Sequence, residues 1–134
     1  MPRDDQIEAL ARSVVNCGFE IHHELGPGLL ENAYEVLLLE SLRQDGIEAK
    51  RQVSLPMKFR GVLVENAYKI DLLVEDKLII EIKSLERLAP VHSKQLLTYL
   101  RLSQLPLGLL MNFGQALFKD GVKRVANNYF ADKA

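Results

Sequence analysis

The sequence has one cysteine, Cys17, among 134 residues. That excludes an internal disulfide and any zinc site built from several thiolates. It also lacks a surplus of positive charge, since 17 Lys and Arg against 18 Asp and Glu give a formal net charge of −1. Strong non-specific binders of duplex nucleic acid usually carry such a surplus, because phosphate neutralisation dominates their affinity. Any basic surface must therefore be local, made from residues such as Lys50, Arg51, Lys58, Arg60, Arg87, Lys94 and Arg101, each of which taken singly reads as solvated surface. No apolar run approaches the ~20 residues needed to span a bilayer. The opening Met1-Pro2-Arg3-Asp4-Asp5 does not have the pattern of a secretory signal. Internal repeats, low-complexity segments and linkers are missing too. Together these absences lead us to expect one domain over residues 1–134, cytoplasmic and without a membrane partner, and long enough to bury a real core.

What is present is a globular composition, 48% hydrophobic and 26% charged. From Asp4 to Leu25, Ile7, Leu10, Ala11, Val14, Val15, Gly18, Ile21, His22 and Leu25 recur at helical spacing. Asp4 or Asp5 caps the start and Gly26-Pro27 closes it. Cys17 reads as a small buried residue of this helix. Adjacent side chains on a helix diverge by about 100°, so His22 and His23 cannot share a metal; His22 packs and His23 meets solvent. A second helix spans about Leu29 to Gln44, with apolar residues spread too widely for one stripe, which predicts burial on two sides. Strands follow over Ala49–Leu55 and Met57–Phe59, with Pro56 marking an edge or bulge. Gly61 turns the chain into Val62–Val64, which leads through Glu65-Asn66 towards Tyr68. After Ser84 a polar link reaches Pro90, a sound first helical residue, and a helix over Val91–Leu102. Leu107–Phe113, wholly apolar, reads as a central strand. Asp120-Gly121 marks a turn before a last strand within Lys119–Val125.

The stretch that carries chemistry is Lys69 to Leu85. Two β-branched-rich runs flank a short charged break, the pattern of a hairpin. Set into them are Asp71, Glu81 and Lys83, charges that cost several kcal/mol to bury without partners. On a strand Glu81 and Lys83 leave by one face and Ile80 and Ile82 by the other. A two-residue loop at Glu75-Asp76 would pair Asp71 with Ile80 and separate the carboxylates. A three-residue loop, Glu75-Asp76-Lys77, pairs Asp71 with Glu81, so a shared cation requires that loop or a bulge.

Asp71 with Glu81-Ile82-Lys83 resembles the signature of the PD-(D/E)-x-K nuclease superfamily, with Ile70 where the name has proline. Gly28-Leu29-Leu30-Glu31-Asn32-Ala33-Tyr34 resembles the motif of the GxxExxY proteins, a bacterial and archaeal family of that superfamily. The segments Pro90–Leu100 and Gly108–Gly114 are similar to its later blocks, so the resemblance runs from about His22 to Val125. It implies an α/β, restriction-endonuclease-like fold, a mixed sheet flanked by helices, and magnesium-dependent hydrolysis of phosphodiester bonds, with manganese as a substitute ion. Asp71, Glu81 and the Ile82 carbonyl would be ligands, and Lys83 would act on the phosphate or its attacking water. Glu31 would hold outer waters; its plainer role is to stabilise the dipole of its helix, worth about 0.3–1 kcal/mol. Gln95 would orient substrate, or else bond to nearby backbone. Tyr34 and Tyr99 are expected site neighbours, with packing the alternative for Tyr34. The expected partner is nucleic acid, DNA before RNA and weakly bound by the chain alone, with a homodimer or a partner protein supplying grip. The alternatives are a nuclease-like fold that binds or assembles without turnover, and, ranked last, a buried ion cluster serving only the structure.

Overall fold

Asp4 opens the first helix, its carboxylate accepting from the backbone N–H groups of Gln6 and Ile7 at 2.9 and 3.2 Å. This is seen in a computed structural model, which describes residues 1–129. Helix α1 (Asp5–Leu25) runs until Gly26 takes a φ of 74°, a left-handed value that glycine adopts freely. It buries Ile7, Ala11, Val14, Cys17 and Ile21, the expected stripe. His22 is buried with Nε2 2.8 Å from the Gln115 carbonyl, while His23 is exposed and stacks on Phe19. Burial and a hydrogen bond to Asp45 push the Cys17 thiol up to about 11, so it stays protonated and a poor nucleophile.

Helix α2 (Glu31–Gln44) corrects one expectation. It buries only one side, through Tyr34, Leu38, Leu39 and Leu42, and leaves Leu30, Val36 and Leu37 exposed. Its many leucines describe an amphipathic helix with a greasy outer face rather than one enclosed on two sides.

The sheet has five strands in sequence order: β1 (Ala49–Phe59), β2 (Val62–Val74), β3 (Leu78–Lys83), β4 (Leu107–Asn112) and β5 (Val122–Ala126). All neighbours are antiparallel except β3 and β4, whose parallel pairing requires a crossover, supplied by α3 (Pro90–Ser103). Pro56 lies at a bulge, one of its two expected roles, where pairing slips between Leu55 and Met57, and β1 and β2 run unbroken through it and through Glu65-Asn66. The final turn is a short 3-10 helix, Phe118–Gly121.

The sheet is the middle layer of three. Leu72, Val74, Leu78, Ile80, Ile82, Leu109 and Met111 join the core shared with α1 and α2. Ile70, Ile79 and Leu110 face the other way, onto Leu96 and Leu100 of α3. The exposed side of α3 is the one carrying Val91, Gln95, Thr98 and Leu102. Every residue of β4 is buried, as a central strand should be. Arg124 on β5 grips Glu8 of α1 with two hydrogen bonds, and the Tyr129 hydroxyl donates to the same carboxylate. The Arg124 hydrogen bonds hold that carboxyl below its ordinary range, so this cluster fastens the first helix to the last strand. The fold is thus a mixed five-stranded sheet flanked by three helices.

Candidate functional site

The β2–β3 hairpin has the three-residue loop that the carboxylates require. Val74 pairs with Leu78, which leaves Glu75, Asp76 and Lys77 in the turn. Glu75 and Asp76 both take positive φ, and acidic and amide residues tolerate that region better than most. Pairing continues through Leu73–Ile79 and stops at Leu72–Ile80. At the next step, where Asp71 and Glu81 would face each other, side chains replace the backbone ladder. The Asp71 N–H donates to the Glu81 carboxylate at 3.2 Å, and the Ile82 N–H donates to Asp71 Oδ2 at 2.8 Å. Each carboxylate is thereby fixed by the backbone of the opposite strand.

A second irregularity lies on the other side of Asp71. The β1–β2 pairing passes from Arg51–Leu72 to Val53–Ile70 and omits Gln52 and Asp71. Gln52 has a φ of 55°, a strained value for a non-glycine residue in mid-strand. Ile70 and Leu72, two residues apart, belong to opposite cores, so β2 turns over at Asp71. The Gln52 amide is directed between two acids, with Nε2 2.6 Å from Glu35 Oε1 and 3.5 Å from Asp71 Oδ1. Glu35, buried on α2, also receives Arg51 at 3.4 Å, and Arg51 in turn donates to Asn32 at 2.6 Å.

Glu81 is only 5% exposed. Burial, then the adjacent Asp71 charge, push its carboxyl up to about 8; the Asp71 N–H and the Lys83 charge act the other way. Lys83 is half-buried at the end of β3. The phenol of Tyr99, on α3, is raised by burial first and then by the charges of Glu81 and Asp71. Its ring stacks on Tyr68 of β2 at 5.1 Å. Asp71, Glu81, Lys83 and Tyr99 therefore share one electrostatic neighbourhood.

The remaining expected residues are placed differently. Glu31 is exposed at the first position of α2, and Gln95 is exposed on α3; among the described residues neither makes a side-chain hydrogen bond. Tyr34 is fully buried, stacked on Phe113 at 4.4 Å, and its hydroxyl donates to the Gly26 carbonyl and accepts from the Leu29 N–H. It pins the turn that leads into α2. That turn touches the site end of β3, because the Ser84 hydroxyl donates to the Leu29 carbonyl at 2.7 Å. Ile82 packs its side chain in the core while its N–H serves Asp71.

Sequence reasoning passed over Glu35 and Gln52. Glu35 left a trace: it lies one helical turn beyond Glu31 on the same face, an acid beside the buried Tyr34 and Leu38. Gln52 left none, since nothing in a strand-like stretch announces a left-handed glutamine.

Among the described residues no three His, Cys, Asp or Glu side chains are grouped to hold a metal. Asp71 and Glu81 form a two-carboxylate set of hard oxygens. That suits magnesium, which keeps several waters and takes one or two carboxylates together with substrate phosphate oxygens. It does not suit structural zinc, which needs four nitrogen or sulfur-rich ligands. The raised Glu81 carboxyl is the condition a cation would relieve.

No helix among the described residues is long and apolar enough to cross a membrane. No curated protein matches this sequence. The sequence model of the PD-(D/E)XK nuclease superfamily matches residues 8–125.

Proposed function

The chain belongs to the PD-(D/E)XK nuclease superfamily, and from that premise we propose that it hydrolyses phosphodiester bonds in nucleic acid, DNA before RNA, with a divalent cation held by Asp71 and Glu81. The observation that carries this reading is the reciprocal bonding across the parted hairpin, Asp71 N–H to Glu81 and Ile82 N–H to Asp71. A core gains nothing from two carboxylates held side by side, and a buried pair of like charges is costly. Within the superfamily we place the chain with the GxxExxY proteins, on its Gly28, Glu31 and Tyr34.

A bound magnesium or manganese ion would supply Lewis-acid polarisation of a phosphoryl oxygen. Asp71, Glu81 and the Ile82 carbonyl would hold it. Lys83, a compact cation next to Glu81, stabilises charge that develops on the phosphate as the bond breaks. Tyr99, stacked on Tyr68, lies within electrostatic reach of both carboxylates. Glu31 would act on outer waters and Gln95 on the substrate, both from exposed positions. Gln52 holds Glu35 and Asp71 in register and is a positioning residue. Gln52→Gly removes its amide and also its backbone strain. The chain should stay folded but lose about 1–3 kcal/mol, because the relief of positive φ opposes glycine's entropy cost while the buried Glu35 carboxylate gives up its 2.6 Å amide donor. Cleavage should nevertheless fall by about 10–100-fold, the usual size of an outer-shell loss. Thermal melts and initial rates on the same preparation check this.

Incubating the chain with labelled single- and double-stranded DNA and RNA, with magnesium or manganese, tests the proposal. Metal-dependent cleavage that disappears in Asp71→Ala is the expected result. Double-strand breaks would call for a two-fold dimer presenting two sites, or for a partner protein. A second reading, a nuclease-like module that binds without turnover, is favoured by one observation: Glu31 and Gln95 are exposed and, among the described residues, make no side-chain hydrogen bond. Metal-dependent binding without any cleavage would select it.

A further inference from the structure

The hairpin of β1 and β2 extends well past the rest of the sheet. β3 pairs with β2 only over Leu72–Val74, whereas β1 pairs with it from Val62 onward. Because β2 and β3 are antiparallel, the overhanging part of β2 lies beyond the end of β3 that carries Glu81 and Lys83. Its tip is a two-residue turn at Arg60-Gly61, with φ of 48° and 81°, as a tight hairpin turn needs.

The composition of this arm differs from that of the molecule. Phe59, Val62, Leu63 and Val64 are each 45–63% exposed. Met57 pairs with Val64 and Phe59 with Val62, so these four side chains share one face of the ribbon. Between Pro56 and Lys69 the charges are Lys58, Arg60 and Lys69 against Glu65 alone, while the whole chain is at −1. Among the described residues Lys58 and Lys69 make no ion pair, and Arg60 lies over the Phe59 ring at 5.0 Å. The root of the arm is seated beside the carboxylates, since Tyr68 stacks on Tyr99, whose phenol feels the Glu81 and Asp71 charges.

We infer that the β1–β2 arm is a nucleic-acid grip, with Lys58 and Arg60 contacting phosphates and the Phe59 face lying against bases or sugars. The inference rests on the proposed function and adds to it the surface that holds the substrate. A contiguous exposed apolar face rimmed by polar residues is a mark of interaction sites. The arm's basic residues, Arg60 at the tip and Lys58 on the opposite face of the ribbon, and its position past a phosphodiester-cleaving centre fit a polyanion carrying flat apolar bases. Aromatic stacking combined with local positive charge is how proteins hold nucleic acid strands, and apolar wedges beside basic side chains occur on minor-groove binders. Such a grip also explains how a chain without overall positive charge would hold its substrate.

The test is fluorescence anisotropy with the intact chain and labelled DNA oligonucleotides of about 20 nucleotides, single-stranded and annealed, in chelator across a salt series. In Lys58→Ala/Arg60→Ala the slope of log affinity against log salt should fall by about 2, with affinity lower by about 10-fold or more. Phe59→Ser/Val62→Ser, surface changes that leave the core intact, should weaken binding at all salts and leave the slope alone. Unchanged affinity and slope in both variants would overturn the inference. So would a Phe59→Ser/Val62→Ser chain that loses self-association in sedimentation while binding DNA normally, since the arm would then serve a second copy. If the unsubstituted chain binds no oligonucleotide, the grip is overturned, whereas the proposed function stands or falls separately on metal-dependent cleavage.

Discussion

Lys83→Ala should lower cleavage by about 10²–10³-fold while leaving nucleic-acid affinity within about threefold. That range is typical of removing one preorganised donor aimed at developing charge. Lys83 stands at the end of β3, half-buried and close enough to lower the Glu81 carboxyl. Its proposed partner is charge that grows only as the phosphodiester bond breaks, so kcat should carry the loss and KM should not. Lys83→Arg should recover little, because a broad planar guanidinium does not replace a compact ammonium at a fixed point. Steady-state rates and a binding isotherm, taken on the same substrate, separate the two quantities. Equal losses in rate and binding would make Lys83 a phosphate contact instead.

Glu81→Gln should change how stability depends on pH. In the metal-free chain the Glu81 carboxyl is pushed up to about 8 from an ordinary 4.5, first by burial and then by Asp71. Between those values the folded state holds a proton that the unfolded state has released. Stability is therefore full below the lower value and falls as pH rises towards the upper one. The loss at pH 8 is on the order of a few kcal/mol, set by a buried carboxylate next to another. Glu81→Gln removes the ionisation, so its melting temperature should be flatter from pH 5 to 8 and higher than that of the parent at pH 8. Magnesium should offset the parent's loss and leave Glu81→Gln unaffected. Melting curves across that pH range, with and without the ion, decide the matter; parallel curves for the two proteins would contradict it.

The hairpin shows how far sequence alone reaches. Side-chain alternation in a strand has period two, so placing Asp71, Glu81 and Lys83 together called for a three-residue loop or a bulge, and the observed pairing of Val74 with Leu78 gives the loop. The helices read well where one stripe is buried, as in α1, and poorly where a helix is leucine-rich on its outer face, as in α2. The motif residue Tyr34 illustrates a different difficulty. Its hydroxyl closes the Gly26–Leu29 turn, a contact with backbone that no spacing rule reveals. Glu35 and Gln52 were missed because their roles depend on β2 turning over at Asp71. That event coincides with the positive φ of Gln52 on the facing strand, and propensity reasoning treats such a position as ordinary strand. The overhanging arm was hidden for a related reason, since nothing in the sequence shows that β1 and β2 stay paired through the Pro56 bulge and on past the end of β3.

The central claim is that Asp71 and Glu81 are held together in order to share a cation. Isothermal titration of magnesium, and then manganese, into the metal-free chain tests it most directly, run beside Asp71→Ala at two pH values below 8. The account predicts saturable binding of one ion to the parent chain, with protons released because the raised Glu81 carboxyl must ionise, and no such binding by Asp71→Ala. Identical titration of the two proteins, or no heat from either at millimolar ion, would contradict it.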